Sequence, residues 1–450
     1  MNPPAPCRRS GPHTTRVALA WLAAYLAAVT VPLFALLPGP AAGRGFVWDF
    51  AMALGYAGLA MFGVQFALTA RFKRATAPFG IDIVYYFHRY LALAAAVVVL
   101  GHYGILRATN PAVLGSADPF EAPPHMTAGR VALALFTLVI ASSLARRALR
   151  IEYDAWRIAH AALATAAFAA ALWHLLGAGR FLDTAWKQAL WAAYGVFWVL
   201  LIAYVRVARP WRVARRPWKV AAVRAERGRV WTLVLEPAHP TEGLRFAPGQ
   251  FAWLALRASP FAMREHPFSI ASSAQRPRRI ELSIKALGDF TATIKDTKPG
   301  ETAWLDAPYG TFGIDEHPHA YGYAFVAGGV GIAPIMSMLR TLADRGDRRP
   351  LVLFYGNRVW ERVAFREELD ALAQRLDLKV VHVLQEPPPD WSGERGFVTE
   401  DVLMRHLPVT RHRFEYFLCG PTPMTMGVER ALDALGVAPA RVHSEIFDWV

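Results

Sequence analysis

Cysteine is nearly missing from this chain, with two among 450 residues, Cys7 and Cys419. So sparse a supply excludes a disulfide-stapled scaffold. Charge is thin as well, at 19% of residues, and acidic residues are scarce in one half in particular. Residues 1 to 216 hold 7 Asp+Glu against 21 Lys+Arg, whereas residues 217 to 450 hold 28 of each. The net charge of +14 therefore belongs entirely to the first half. With 54% apolar residues and no repetitive composition, fibrous and disordered classes are excluded too.

A basic protein ordinarily invites a nucleic-acid reading, but here the basic half is also the more apolar half. That pairing points to a lipid bilayer and to no nucleic acid. Stretches of about the 20 residues that cross a bilayer occur near 16 to 38, 47 to 70, 83 to 106, 131 to 145, 158 to 178 and 188 to 205. Six transmembrane helices are expected. The first is too long for a secretory h-region, and Leu36-Leu37-Pro38-Gly39-Pro40 is a poor cleavage site. Lys and Arg between the spans fall 15 on one side and five on the other. Both termini and the second half are thus expected in the cytoplasm, with Cys7 and Cys419 reduced.

Four of the 14 histidines lie inside these spans: His88 and His102 on the third, His160 and His174 on the fifth. Each pair is 14 residues apart, which returns a helical side chain to within about 40° of its first direction and roughly 21 Å along the axis. The two helices run the same way, so His88 faces His160 at an inner level and His102 faces His174 at an outer one. Imidazoles on facing helices are good ligands for haem iron, and two b-type haems are the expectation. Histidines hydrogen-bonded between helices, or a metal or proton pathway, are the other readings. Arg89, Arg107, Arg157 and Arg180 stand where propionates would lie.

After the basic linker the texture changes. Val230 to Leu235, Phe251 to Leu256 and Ile280 to Lys285 alternate with strand period, predicting a small antiparallel barrel. From about 320, apolar strands alternate with amphipathic helices, predicting a doubly wound parallel sheet. Within it, Phe325 to Pro334 runs from strand through glycines into a helix, a turn suited to a pyrophosphate. No zinc-like Cys/His spacing, P-loop or hydrolase triad is present.

The succession His266-Pro267-Phe268-Ser269-Ile270-Ala271-Ser272-Ser273, Ser283 to Thr291, Gly328 to Pro334, Tyr355-Gly356-Asn357-Arg358, Cys419-Gly420-Pro421 and Glu445-Ile446-Phe447 resembles the ferredoxin-reductase type flavoprotein module. Joined to spans with paired histidines, it is similar to the ferric reductase and NADPH oxidase superfamily. The resemblance implies a tail over 1–15, a transmembrane haem domain over 16–206, a linker over 207–218, an FAD-binding β-barrel over 219–317 and an NAD(P)H-binding domain over 318–450. It implies FAD held by His266, Pro267, Phe268, Ser269, Ile270, Ala271 and Ser272, with Lys285, Gly288, Phe290 and Thr291 near ribityl and pyrophosphate. His266 departs from the Arg of many soluble relatives and matches the membrane branch.

It further implies that Gly328, Gly329, Val330, Gly331 and Pro334 take the dinucleotide pyrophosphate, and that Cys419 and Gly420 flank the nicotinamide, Cys419 and Phe447 being the catalytic candidates. Phe447 or Trp449 would stack on the flavin. Asn357 lies at the same strand end, where Arg358 favours NADPH, with NADH open, because no acidic residue ends that strand. His88, His102, His160 and His174 are the metal ligands. The expected activity moves electrons from cytoplasmic NAD(P)H through FAD and two haems to oxygen or ferric iron outside. A haem-free anchored flavin reductase, a donor to a quinone or partner protein, and a non-enzymatic scaffold are the alternatives.

Overall fold

The computed structural model describes residues 12–34, 45–72, 81–179 and 181–446. They divide into two compact units, a helical one over 14–210 and a second that begins at Trp211.

The helical unit holds α1 (Pro12–Phe34), α2 (Phe46–Thr69), α3 (Ile81–Thr109), α4 (Pro124–Ala145), α5 (Tyr153–Ala178) and α6 (Ala185–Ala203). A π turn over Tyr204–Ala208 carries α6 into α7 (Arg209–Ala214). Among the described residues five helices are long and apolar enough to cross a membrane, α2, α3, α4, α5 and the continuous α6–α7, and not the six expected. The difference lies in α1. Its first turns carry His13, Thr14, Thr15 and Arg16, so its apolar stretch is only Leu19–Phe34, and residues 35–38 of the expected run lie outside the described residues.

Small residues let these helices close on one another without a hydrophobic driving force. A Cβ on Gly58 of α2 would stand 2.4 Å from Val99 of α3, and one on Gly63 would stand 2.7 Å from the Trp198 indole of α6. Helix α2 packs along α3, and α4 along α5. Phe62 and Phe136 stack at 3.8 Å, beside buried Tyr56, Phe168 and Trp191.

The second unit opens with the barrel strands β1 (Pro217–Ala225), β2 (Val230–Pro237), β3 (Phe251–Leu256), β4 (Glu265–Ser269), β5 (Ile280–Lys285) and β6 (Thr302–Tyr309). They pair antiparallel in the order β4-β3-β6-β1-β2-β5. An antiparallel bridge from Ile270 to Leu282 joins the two outer strands, which removes the exposed edges that an open sheet would carry. The barrel's core is Leu233, Leu235, Leu254, Ile280, Leu282 and their neighbours.

The nucleotide half is a parallel sheet in the order β10-β9-β8-β7-β11-β12, built from β7 (Gly322–Gly328), β8 (Leu351–Asn357), β9 (Leu378–Leu384), β10 (Glu394–Arg395), β11 (Phe414–Gly420) and β12 (Val442–Ile446). Its apolar runs are buried on both faces, as parallel strands require. Strand order reverses between β7 and β11. A ligand crevice is expected beyond the carboxyl ends at such a point, and the expected glycine turn and Cys419-Gly420 both fall there.

Helix α8 (Ile332–Arg345), which follows the glycine turn, also grips the barrel. Arg340 donates to Glu368 at 2.6 and 2.7 Å, to Glu281 at 3.1 Å and to the Ala271 carbonyl at 2.7 Å. Ser337 Oγ donates to the Ser272 carbonyl at 2.7 Å, and Thr341 Oγ1 accepts from Ala274 N. Burial opposes ionisation of Glu281, yet Arg340 and Arg224 outweigh it and hold that carboxyl below its usual value.

Candidate functional site

The four membrane histidines share one device. His102 Nδ1 lies 2.7 Å from the Ala51 carbonyl of α2, and His174 Nδ1 lies 2.9 Å from the His125 carbonyl of α4. A carbonyl only accepts, so both rings carry hydrogen on Nδ1 and present the Nε2 lone pair. Each ring also lies close against a glycine one turn on: a Cβ at Gly55 would meet His102 at 2.9 Å, and one at Gly129 would meet His174 at 2.7 Å.

The inner pair is held by side chains instead. Ser143 of α4 donates to the Val139 carbonyl at 2.5 Å, which leaves its oxygen to accept from His160 Nδ1 at 3.2 Å. Gln65 of α2, almost fully buried, places its amide 2.6 Å from His88 Nδ1. With its nitrogen toward His88, its oxygen accepts from Ala92 N at 3.3 Å. Ligation through Nε2 puts hydrogen on Nδ1 and asks Gln65 for the reverse orientation.

The His88 and His160 rings face one another with centres 6.4 Å apart and planes at 67°. One metal ion between two imidazoles needs about 6 Å, the sum on each side of a bond near 2 Å and roughly 1 Å from nitrogen to ring centre. The residues present fit the group. Of the expected propionate partners, Arg157 stands 4.0 Å from Asp154, and Arg180 lies outside the described residues.

In the reductase unit, His266 on β4 stacks on Phe290 at 4.0 Å with planes at 20°, and Phe268 stacks on the same ring at 6.2 Å. Ser269 Oγ is buried with no hydrogen-bond partner among the described residues. An orphaned buried hydroxyl costs about 1–3 kcal/mol, and a ligand atom there removes the penalty. This cradle fits a flavin. Two expected contacts are already engaged within the chain. Thr291 Oγ1 accepts from Leu287 N and Gly288 N, folding that loop, and Ser272 Oγ accepts from Glu281 N.

Lys285, at the end of β5, reaches 3.9 Å from the Cβ position of Gly329 in the glycine turn. Half-burial and two like charges, Arg362 and Arg229, lower its proton affinity. A cation beside the turn with two like charges acting on it is a repulsive arrangement that a phosphate group relieves. Gly329 takes φ +53°, and a Cβ on Gly331 would stand 2.1 Å from the Cys419 carbonyl. The turn and the Cys419-Gly420 segment are thereby pressed together, as the two halves of one crevice.

Cys419 is a free thiol with no exposed surface, and burial, with Glu445 beside it, raises its pKa well above the usual range. It is a neutral packing group and supplies no thiolate. Asn357 is buried at the end of β8, while Arg358 is 62% exposed and pairs with Glu386 at 2.9 Å. No acidic residue ends β8 itself, but Glu386 comes to Arg358 from beyond the end of neighbouring β9, out of reach of a reading confined to one strand. Phe447 and Trp449 lie outside the described residues. Gln65, Ser143, Gly55 and Gly129 were missed because each acts through a neighbouring helix, although a glycine four residues after the carbonyl donor residue, in Ala51 to Gly55 and again in His125 to Gly129, is a repeat visible in the sequence.

Comparison with known proteins covers most of this framework. Residues 54–171 match the family described as ferric reductase like transmembrane component, residues 218–303 an FAD-binding domain and residues 325–430 an oxidoreductase NAD-binding domain. The chain is 31% identical over 185 residues to NADH-cytochrome b5 reductase 1 of Pyricularia oryzae, spanning 40% of this chain and 60% of that protein. It is 32% identical over 225 residues to the reductase component of propane 2-monooxygenase of Rhodococcus jostii, spanning 48% and 59%. The matches thus span about three fifths of those relatives' length. Among solved structures, the flavohem-like FAD/NAD binding domain of nitric oxide dioxygenase from Vibrio cholerae is similar at 24% identity and a TM-score of 0.46, over 52% of this chain and 98% of that one. With membrane helices first, an FAD-binding domain second and an NAD-binding domain last, the chain carries the domain architecture of the ferric reductase and NADPH oxidase superfamily.

Proposed function

We propose that the protein is a transmembrane flavohaem oxidoreductase that carries electrons from NAD(P)H through FAD and two b-type haems to an acceptor across the membrane, oxygen or ferric iron. The observation that carries this reading is the common treatment of four imidazoles, each tied at Nδ1 by a neighbouring helix, with one facing pair 6.4 Å between ring centres. Ligating histidines typically have their second nitrogen fixed in this way.

FAD and haem, when bound, supply the conversion between two-electron hydride chemistry and one-electron transfer. The chain's own residues bind and orient. His88 with His160, and His102 with His174, hold the two irons. His266, Phe268 and Phe290 form the aromatic wall of the flavin cradle, Ser269 offers a hydroxyl to its polar edge, and Lys285 with Arg229 and Arg362 takes phosphate charge. Gly328 to Gly331 admit the dinucleotide close to the backbone, and buried Cys419 spaces the crevice floor. Arg358 meets the adenosine end, and its pairing with Glu386 tempers the expected preference for NADPH, so that NADH also enters. The 15 against five distribution of Lys and Arg favours the reductase unit on the cytoplasmic side.

The test is the cofactor content of purified protein. Two haem equivalents per FAD by the pyridine haemochrome are expected, both reduced by NAD(P)H. Bound flavin without haem would leave an anchored flavin reductase, and neither cofactor would leave a scaffold. Dismutase-sensitive reduction of cytochrome c identifies oxygen as acceptor, and dismutase-insensitive ferrous chelate formation identifies iron.

A further inference from the structure

At the edge of the parallel sheet remote from the glycine turn, three side chains from distant parts of the chain converge. His317 ends the 3-10 turn Ile314–Glu316 that precedes β7, Glu415 is the second residue of β11, and His443 is the second of β12. Their ligand atoms lie within 4.8 Å of one another. Glu415 Oε2 is 3.1 Å from His443 Nε2 and 3.9 Å from His317 Nδ1. The two imidazoles lie 4.1 Å apart between centres, both against the Phe417 ring.

We propose that His317, Glu415 and His443 form a binding site for a zinc-type divalent metal ion. Ligand atoms around a tetrahedral zinc stand about 3.3 Å apart for bonds near 2.0–2.1 Å, and the two separations at Glu415 bracket that value. The carboxylate is nearly buried and its other oxygen, Oε1, accepts from Arg441 at 2.6 Å. That bond fixes Glu415 as a one-oxygen ligand and supports it from behind. The Arg441 side chain is 39% exposed, so water screens its charge from the ion.

Burial, with His443 alongside, lowers the proton affinity of His317. His443 presents Nε2 to the ion when its ring hydrogen stands on Nδ1. The His side chains are 30% and 22% exposed, which leaves an entry path and a fourth position for water. A bound ion would pin the connector between barrel and sheet to the last strand. The cluster plays no part in the crevice at the opposite, carboxyl edge, and the absence of metal-ligand spacing in the sequence reflects only that the fold assembles it.

The probe is zinc alone, added to the full-length detergent-solubilised protein and followed by calorimetry, metal analysis after dialysis and zinc X-ray absorption. We expect one zinc per chain in the wild type, with an absorption pattern carrying two imidazoles; the bound zinc is lost in His443→Gln and His317→Gln and kept in His443→Cys, there with one imidazole and one thiolate. FAD content, unchanged in all three, reports the fold, and a variant that loses FAD is replaced by Glu415→Gln in the same measurement. Equal zinc stoichiometry in wild type and His443→Gln, or an absorption pattern without paired imidazoles, overturns the proposal. Loss of zinc from both His443→Gln and His443→Cys with FAD intact overturns it as well, because only a general packing role treats the two alike.

Discussion

The helical unit and the reductase unit organise their polar groups by opposite means. In the first, imidazoles are held by carbonyls, a hydroxyl and an amide, and no charge is spent at those positions. In the second, the frame is charged: Arg340 clamps Glu281, Glu368 and the Ala271 carbonyl, and Lys285, under the like charges of Arg229 and Arg362, stands beside the glycine turn. The contrast follows from solvent. An unpaired charge is costly in lipid, so neutral partners hold the rings there, while the water-facing unit can use charge both to brace itself and to hold phosphate.

The largest effect expected breaks the neutral side. His102→Ala should lower haem content from two equivalents to one and bring turnover with an outside acceptor to background, while NAD(P)H-driven dye reduction at the flavin persists. Unchanged outside turnover would sink the two-haem relay. On the charged side, Arg340→Ala leaves Glu281 buried without its main counter-charge, and loss of a buried pair costs about 3–5 kcal/mol. Chemical denaturation of the reductase unit, followed by flavin release, measures it.

Lys285→Ala should raise the KM for NAD(P)H, or the dissociation constant for FAD, by about tenfold or more, as for a charge-assisted bond of about 1.5–3 kcal/mol. Gln65→Leu should weaken inner haem retention about tenfold, within the range for second-sphere partners of metal ligands, and leave the outer haem in place. The smallest effect is at the rim. Glu386→Ala frees exposed Arg358 and should shift the NADPH to NADH ratio of kcat/KM a few-fold toward NADPH, as exposed ion pairs are worth about 0.2–1 kcal/mol.

What the sequence disclosed depended on how local its causes were. The barrel strands Val230 to Leu235 and Ile280 to Lys285, and the alternation from β7 onward, announce themselves by period, and the structure places them where the period does. The histidine pairs were legible because one helix repeats the same face after 14 residues. Their partners were not, since Gln65 and Ser143 belong to other helices and carry no motif. Glu386 failed for the same reason, arriving from an adjacent strand. The first span was over-read because an apolar run was measured without weighing the polar start of α1 against it.

The outer histidines lean on main-chain oxygens, and that has a consequence for heredity. No side-chain replacement at Ala51 or His125 can delete a peptide carbonyl, so drift reaches the outer level only by way of Gly55 and Gly129, where any larger residue would wedge the ring aside. The inner level has no such insurance: one codon change at Gln65 or Ser143 removes the tether itself. Lineages of this protein should therefore vary first on the tier of His88 and His160 and keep longest the two glycines beside His102 and His174.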